Sequence, residues 1–277
     1  MGLRINTNVS SLSAQRSLGQ VTEKQNTSLG RLSTGNRINK AADDAAGLAI
    51  SEKLKAGVRG LNQANRNAND GISLIQTAEG GLNEISSILT RLRELAVQSA
   101  SDTMGDSERS LTDIEYQQLK MEIERISQVT EYNGKKLLNG TGLSYDFQIG
   151  TNNNAFEDRI SYNAAGTNST LTSLGLDQIS VHNKENSQFS LALLDTAIQK
   201  ISGQRADLGA VQNRLVNTSN NIQGMVENLS AANSRIRDTD FAQETAENVR
   251  LNILTQAGTS VLAQANNQGS AALKLLS

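Results

Sequence analysis

Hydrophobic positions recur at steps of three and four residues through most of the chain, which is the spacing of one face of an α-helix. The first long stripe predicts a helix that begins after Asp43 and Asp44, since an aspartate oxygen accepts from the free amides of a first turn. This stripe consists of Leu54, Val58, Leu61, Ala68, Ile72, Ile75, Leu82, Leu89 and Ala96. A second stripe with heptad spacing consists of Leu194, Ile198, Ile201, Leu208, Leu215, Ile222, Val226 and Leu229. We predict that the two helices pack as antiparallel arms along these stripes.

Three polar residues interrupt the second stripe: Arg205, Gln212 and Ser219. A buried polar group in a helical seam penalises slipped alignments that leave it unpaired, whereas a polar group at the edge of the seam is simply hydrated. Because polar side chains are mostly exposed in folded proteins, we expect all three at the wet edge of the seam.

The two ends of the chain carry shorter amphipathic patterns that also predict helices. The N-terminal pattern ends near Gly35 and has the apolar members Val9, Leu12, Leu18, Val21, Leu29 and Leu32. The C-terminal pattern starts after Asp240, the predicted N-cap, and has the apolar members Leu251, Leu254, Val261, Leu262, Leu273, Leu275 and Leu276. Apolar residues surround most of the C-terminal helix, and a lone helix of this kind is marginal in water. We therefore predict that both terminal helices become ordered when subunits assemble.

The middle of the chain changes character. Tyr116, Leu119, Ile123 and Ile126 predict a third helix, which stops before Asn133-Gly134, a pair that readily adopts positive φ. Beyond it, the alternation of Tyr145, Phe147 and Ile149 within an Asn-, Thr-, Ser- and Gly-rich stretch predicts short hairpins and loops.

Together these patterns predict a mainly α fold: a long antiparallel helical hairpin or coiled-coil bundle with a small β-hairpin region at its tip and separate terminal helices. We predict five segments along the chain. They are a terminal helix with its connector (1–40), an N-terminal arm (41–138), a variable β-hairpin and loop region (139–185), a C-terminal arm (186–236) and a C-terminal helix (237–277).

Composition argues against an enzyme and against a nucleic-acid or membrane ligand. The chain of 277 residues has no proline to interrupt its helices and no cysteine for disulfide or thiolate chemistry. Its net charge of −2 does not favour anionic partners. No zinc, nucleophile-elbow or phosphate-loop motif is present, and we expect the single histidine, His182, in a surface loop. The sequence also shows no apolar run of membrane-spanning length and no secretory signal, so we predict a structural protein without a cofactor.

Several strings of residues at both ends of the chain are long enough to be specific. The most specific string is AADDAAGLAISEK at residues 41–53. The other N-terminal strings lie at residues 5–8, 11–16, 31–35, 60–64, 70–80, 93–98 and 132–134. The C-terminal strings lie at residues 206–215, 235–242 and 264–266. These strings closely resemble those of bacterial flagellin, the filament subunit of the flagellum. The middle, where this family often builds outer domains, is short here, so the chain resembles a minimal flagellin.

The resemblance implies a subunit that self-assembles into the helical flagellar filament for swimming motility. Its terminal helices would pack around an export channel through Val9, Leu12, Leu18 and Val21 and the seven C-terminal apolar residues named above, and its arms would form the filament wall. The resemblance also implies an extracellular location that is reached without a cleaved signal peptide. The implied partners are the flagellar cap and hook-junction proteins, the export apparatus and a chaperone that binds the C-terminal helix.

A recognition surface is implied as well. Residues 91–98 match the flagellin surface that the vertebrate Toll-like receptor for flagellin recognises, with Arg91, Leu95 and Glu115 at the matching positions. We expect Leu95 to be an exposed leucine surrounded by charge, as at an interaction hot spot. The primary role expected for these residues is contact with an axial neighbour in the filament, and the receptor would use the same face.

Two departures from the family and two alternatives are relevant. Family members usually carry proline near Gln268, where this chain has Gly269, and often carry a bulky apolar residue at the position of Asn36. The alternatives are a hook-filament junction adaptor, which does not form a long polymer, and a secreted coiled-coil adhesin. Agreement of both arms with filament flagellins favours the filament subunit over either.

Overall fold

The computed structural model describes residues 7–142 and 144–274, and for residues 268–274 it describes the course of the helix without the side chains. The helices are α1 Val9–Thr34, α2 Ala45–Ser99, α3 Asp106–Val129, α4 Leu171–Leu174, α5 Lys184–Arg237 and α6 Phe241–Lys274. The strands are β1 Glu131–Tyr132, β2 Lys135–Lys136, β3 Ser144–Gln148 and β4 Arg159–Asn163, followed by a 3₁₀ turn at Ala164–Thr167. The predicted mainly α fold is confirmed. The chain forms two compact units: a terminal unit of Met1–Ala56 with Asn228–Ser277, and a central unit of Gly57–Glu227.

In the central unit, α2 and α5 pack along the two predicted stripes. The buried members one heptad apart are Leu61, Ala68, Ile75, Leu82, Leu89 and Ala96 on α2, and Leu194, Ile201, Leu208, Leu215 and Ile222 on α5. The Ser219 hydroxyl donates to Asn65 Oδ1 at 2.6 Å, and Arg93 Nε donates to Asp195 Oδ1 at 2.7 Å. Partner numbers fall along α5 as they rise along α2, so the arms run antiparallel as predicted.

The wet-edge prediction for the polar members of the α5 stripe is confirmed for two residues and wrong for the third. Arg205 and Gln212 are half-buried. Ser219 is buried, because its hydroxyl finds the Asn65 side chain directly across the seam. The hydrogen bond satisfies a buried donor, so Ser219 favours this alignment of the arms over slipped ones.

The middle segment packs against α3. Asn133 and Gly134 have φ of 50° and 74° and form the turn that joins β1 to β2, as their sequence predicts. A second antiparallel pair joins β3 to β4. Helix α3 also binds the segment that leads to α5. Buried Lys120 on α3 donates through Nζ to the carbonyls of Asp177 and Ile179 at 3.0 and 2.9 Å. Burial lowers the pKa of Lys120.

In the terminal unit, α1 and α6 pack along each other, and short connectors lead from α1 to α2 and from α5 to α6. The connectors hold each other through backbone bonds from Arg37 N to Arg237 O at 2.6 Å and from Thr239 N to Gly35 O at 2.9 Å. Gly35 has φ of 71°, and its N–H donates to Arg31 O at 2.8 Å, which ends α1 at the predicted position.

The predicted aspartate caps are confirmed for Asp44 and Asp240, and the prediction is wrong for Asp43. Asp44 Oδ1 accepts from Gly47 N at 2.8 Å in the first turn of α2, and Asp240 Oδ1 accepts from Ala242 N at 2.9 Å in the first turn of α6. Asp43 instead folds back on the connector. Its carboxylate accepts the amides of Lys40 and Asn39, and these bonds lower the pKa of Asp43. No helix in the described ranges is both long enough and apolar enough to cross a membrane.

Candidate assembly surfaces

The α1–α6 pair is the first candidate surface. Polar bonds occur along its length. Asn8 Nδ2 donates to Ala265 O at 2.8 Å and Ser11 Oγ donates to Asn266 Oδ1 at 2.7 Å near one end, and Gln25 Nε2 donates to Asn252 Oδ1 at 2.6 Å further along. The helices approach closely at Gly258, because a Cβ there would lie 3.2 Å from Leu18 Cδ1. Small and polar residues therefore carry much of the contact, which leaves apolar side chains elsewhere on both helices.

The predicted polymerisation residues divide into two groups. Leu251 is buried, and Leu18, Val21 and Leu262 are half-buried, so these four build the α1–α6 pair within one chain. The second group, which faces outward, consists of Val9, Leu12, Leu254 and Val261. Sequence reasoning missed two further outward members, Phe241 and Val249. Ile253, a member of a second apolar stripe on α6, also faces outward. The Leu273 side chain is not described, and Leu275 and Leu276 lie outside the described residues.

Contiguous apolar side chains on the outside of a chain mark sites of association. Val261 is 57% exposed and Ile253 is 60% exposed, although both lie on a helix whose other side is packed. Burying one such Val or Ile side chain contributes about 1.5–3 kcal/mol, so a few of them on each helix can drive contact between copies.

The second candidate surface surrounds Arg91 at the far end of α2. Its guanidinium donates to Glu115 Oε1 of α3 at 3.1 and 3.0 Å, and to Glu94 Oε2 at 3.0 Å. The hydrogen bonds to Glu115 and then to Glu94 raise the pKa of Arg91. Arg91 and Glu115 are both exposed, as expected, and the structure brings them together in one ion pair.

The expectation of an exposed Leu95 is wrong, because Leu95 is only 2% exposed. The reason is that α3 runs back alongside this part of α2: buried Arg109 donates to the Ser99 carbonyl at 2.9 Å, and Glu115 binds Arg91. Helix α3 therefore covers a face of α2 that packing against α5 alone would leave exposed. Leu95 supports the surface by packing and does not itself lie on it.

Exposed apolar residues beside Glu115 were missed by sequence reasoning. Leu111, Ile114 and Met121 project from α3 on the face opposite to buried Tyr116 and Ile123. The signal was present in their spacing of three and seven residues, but a helix pattern does not say which of two apolar faces is covered. In the described parts of the chain, no three His, Asp or Glu side chains are grouped to hold a metal ion, and His182 lies exposed in a loop.

Two regions of the chain, one in each half, match a known protein family. Residues 5–142 match the family description "Bacterial flagellin N-terminal helical region", and residues 191–276 match "Bacterial flagellin C-terminal helical region". The chain is 45% identical over 272 residues to a flagellin of Halalkalibacterium halodurans, covering 98% of this chain and 99% of that one. It is 41% identical over 290 residues to the flagellar filament 30.7 kDa core protein of Treponema maltophilum, covering 99% of each. The crystal structure of Bacillus cereus flagellin superposes with a TM-score of 0.51 at 34% identity, over 61% of this chain and 94% of that chain.

Proposed function

Because this chain belongs to the bacterial flagellin family and is a structural subunit of the flagellar filament, we propose that it polymerises through the outward apolar residues of α1 and α6. It is not an enzyme, and the filament that it forms is extracellular. Relatives of full length are flagellins and a filament core protein, so the junction adaptor and the adhesin are not favoured.

The observation that carries the proposal is the division of apolar residues on the α1–α6 pair. Leu251 and its neighbours close the pair inside one chain, while Val9, Leu12, Leu254 and Val261 remain on its outside. In a filament these outer side chains would be buried by other subunits. Contact between different patches on successive subunits generates an open helix, the geometry of a filament, when the rotation between subunits does not close a ring.

Seeded assembly tests this role. Wild-type chain mixed with short filament seeds is expected to grow long uniform filaments in negative-stain electron microscopy. Val261→Asp is expected to stop growth, because a carboxylate would have to be buried without a partner. Val261→Thr, which is close in shape, is the matched control and should retain partial growth.

Since Val261 is exposed, both variants should keep the circular dichroism of the wild-type monomer. Wild-type growth rates for Val261→Asp would show that this face of α6 is not an assembly surface.

Export and capping partners belong to the same proposal. The chain would pass through the flagellar export apparatus, with a chaperone covering α6 beforehand. It would meet the cap and hook-junction proteins at the two ends of the filament. The apolar outer surface of α6 is the argument for a chaperone, because such a surface in a free chain favours premature association.

We further propose that the surface around Arg91 and Glu115 contacts an axial neighbour, and that the vertebrate Toll-like receptor for flagellin binds the same face. The side chains of Arg91 and Glu115 are each 49% exposed, and apolar Leu111 and Ile114 flank them. Charged residues beside exposed apolar ones are the composition of a recognition surface.

A charge swap separates this role from stability. An exposed ion pair contributes about 0–1 kcal/mol, so the double variant Arg91→Glu with Glu115→Arg should lower the melting temperature only slightly, although the new carboxylate at position 91 lies beside Glu94. It should nevertheless slow seeded growth and weaken binding to the receptor ectodomain, because the charges presented to a partner are reversed.

The matched control is the swap of Arg93 with Asp195, an equally exposed pair joining α2 to α5. Equal losses of growth and receptor binding in both swaps would contradict a specific role for the Arg91 surface.

A further inference from the structure

The chain contains two Asn-Gly pairs, Asn133-Gly134 and Asn139-Gly140. In such a pair the backbone nitrogen of the glycine can attack the side-chain carbonyl carbon of the asparagine, because glycine has no Cβ to obstruct the approach. The attack requires a side-chain amide that is free to rotate and a backbone nitrogen that is open to water. The structure meets these requirements at one pair and not at the other.

The first pair is open. Asn133 and Gly134 form the whole turn between β1 and β2, and both residues are exposed. Among the described residues, neither the Asn133 side chain nor the Gly134 N–H has a hydrogen-bond partner. A Cβ added at Gly134 would meet no atom within 4 Å, so the surroundings of this turn are free of other groups.

The second pair is restrained. Asn139 Oδ1 accepts from Thr141 N at 3.1 Å and from Thr141 Oγ1 at 2.7 Å, and these two bonds fix the side-chain amide. Gly140 is half-buried, and an added Cβ there would collide with the side chain of Asn168. Rotation of the Asn139 amide toward the Gly140 nitrogen would therefore break two hydrogen bonds in a crowded site.

The strands beside Asn133 do not hold its turn firmly. The β1–β2 ladder consists of two residue pairs, Glu131 with Lys136 and Tyr132 with Lys135. A hairpin this short is marginally stable, and the ion pair between Glu131 and Lys136 is exposed to solvent. The turn can thus open locally while the helices remain packed, which frees its backbone dihedral angles for the attack.

We propose that Asn133 is a site of spontaneous deamidation and that the fold protects Asn139. The Gly134 nitrogen loses its proton and forms a bond to Asn133 Cγ, while the bond from Cγ to Nδ2 breaks and Nδ2 leaves with that proton as ammonia. The product is a cyclic succinimide between residues 133 and 134. Water then opens the ring at either carbonyl group. One opening yields aspartate at position 133, and the other yields isoaspartate, in which the main chain runs through the former side-chain carbonyl.

The two products have different effects on the fold. Aspartate followed by glycine also suits a turn with positive φ at both central residues. Isoaspartate lengthens the main chain of this two-residue turn by one methylene group and so disturbs the register of β1 and β2. Strand β2 leads directly to Leu137 and Leu138, which are fully buried. Leu137 N donates to Thr130 O at 3.2 Å, and Ser169 N donates to Leu138 O at 2.8 Å. Isoaspartate therefore weakens an attachment of the middle segment to the core.

Ageing of the purified full-length chain tests the site. The chain is incubated in neutral and in mildly alkaline buffer, sampled over time and digested with trypsin. Cleavage after Lys135 and Lys136 places the two asparagines in separate peptides, and mass spectrometry measures the conversion of each amide to an acid. We expect Asn133 to convert about tenfold or more faster than Asn139. The rate at Asn133 should rise with pH, because the attacking nitrogen must lose its proton.

Isoaspartate at position 133, identified by peptide fragmentation, is the signature of the succinimide route, since direct hydrolysis of the amide yields aspartate alone. Absence of isoaspartate, or equal rates at the two asparagines in the folded chain, would overturn the proposal.

The chain unfolded in strong denaturant is the matched control. Both asparagines are then followed by glycine without folded surroundings, so their rates should agree within about threefold. A tenfold difference that persists in denaturant would also overturn the proposal, because the adjacent residues in sequence would then be its cause and not the fold.

The effect on stability is measured with two variants and with the aged chain. Asn133→Asp supplies the aspartate product and should unfold at the same denaturant concentration as fresh wild-type chain. Aged wild-type chain rich in isoaspartate should unfold at a lower concentration. Asn133→Gln, whose longer side chain cyclises slowly, should keep its own unfolding midpoint through the same incubation. An aged wild-type chain that unfolds like Asn133→Asp would contradict the role of this turn in attaching the middle segment.

Discussion

Deletion of residues 252–277 is expected to abolish filament growth and to leave a soluble monomer with an intact central unit. The deletion removes most of α6, and with it the partners of Asn8, Ser11 and Leu18 on α1. Alone, α1 is a helix of 26 residues with exposed Val9 and Leu12, and isolated helices of this kind are marginal in water. Both helices of the proposed assembly surface are thereby lost.

Seeded growth followed by electron microscopy measures the first part of this expectation. Limited proteolysis measures the second, since we expect Gly57–Glu227 to be a protected fragment in the truncated chain and in the full chain alike. A truncated chain that still polymerises would show that the filament is held by contacts of the central unit. Loss of the protected fragment would show that the terminal helices support the fold of the arms.

The largest loss of stability from a single substitution is expected for Leu208→Ala. Leu208 is 1% exposed in the centre of the α5 stripe, and truncation of a buried leucine leaves a cavity as well as removing apolar contacts. The free energy of unfolding should fall by about 2–5 kcal/mol. Chemical denaturation followed by circular dichroism gives the value.

Val216→Ala is the matched control on the same helix. Val216 is 39% exposed, one residue after buried Leu215, so its truncation should change the free energy of unfolding by less than about 0.5 kcal/mol. Equal stability of Leu208→Ala and the wild-type chain would mean that the stripe faces solvent and that the antiparallel arms are misassigned.

Much of the fold was predictable because it depends on neighbours in sequence. Asp44 and Asp240 cap helices that begin one residue later, and Gly35 ends α1, because each acts on backbone groups within one turn. Asn133-Gly134 forms a tight turn for the same local reason. The heptad spacing of the two stripes likewise identifies one face on each arm without reference to the partner.

The assembly surfaces were predictable only in part. Periodicity marks which side chains share a face, but Leu251 and Val261 have the same pattern and opposite surroundings, buried in one case and exposed in the other. The difference arises because α1 covers one side of α6 and nothing in the described chain covers the other. Ser219 shows the converse, a polar residue that is buried because a specific acceptor, Asn65, lies opposite.

The sequence by itself determined the family, the helical periods, the helix ends and the absence of enzymatic motifs, since these are properties of short strings or of one helix face. Only the tertiary structure decided which helix faces are covered, and by how many neighbouring helices. It placed α3 over Leu95 and divided the terminal apolar residues into inner and outer groups. The physical reason is that burial is a sum over neighbours far apart in the chain, whereas periodicity and capping are complete within a few residues.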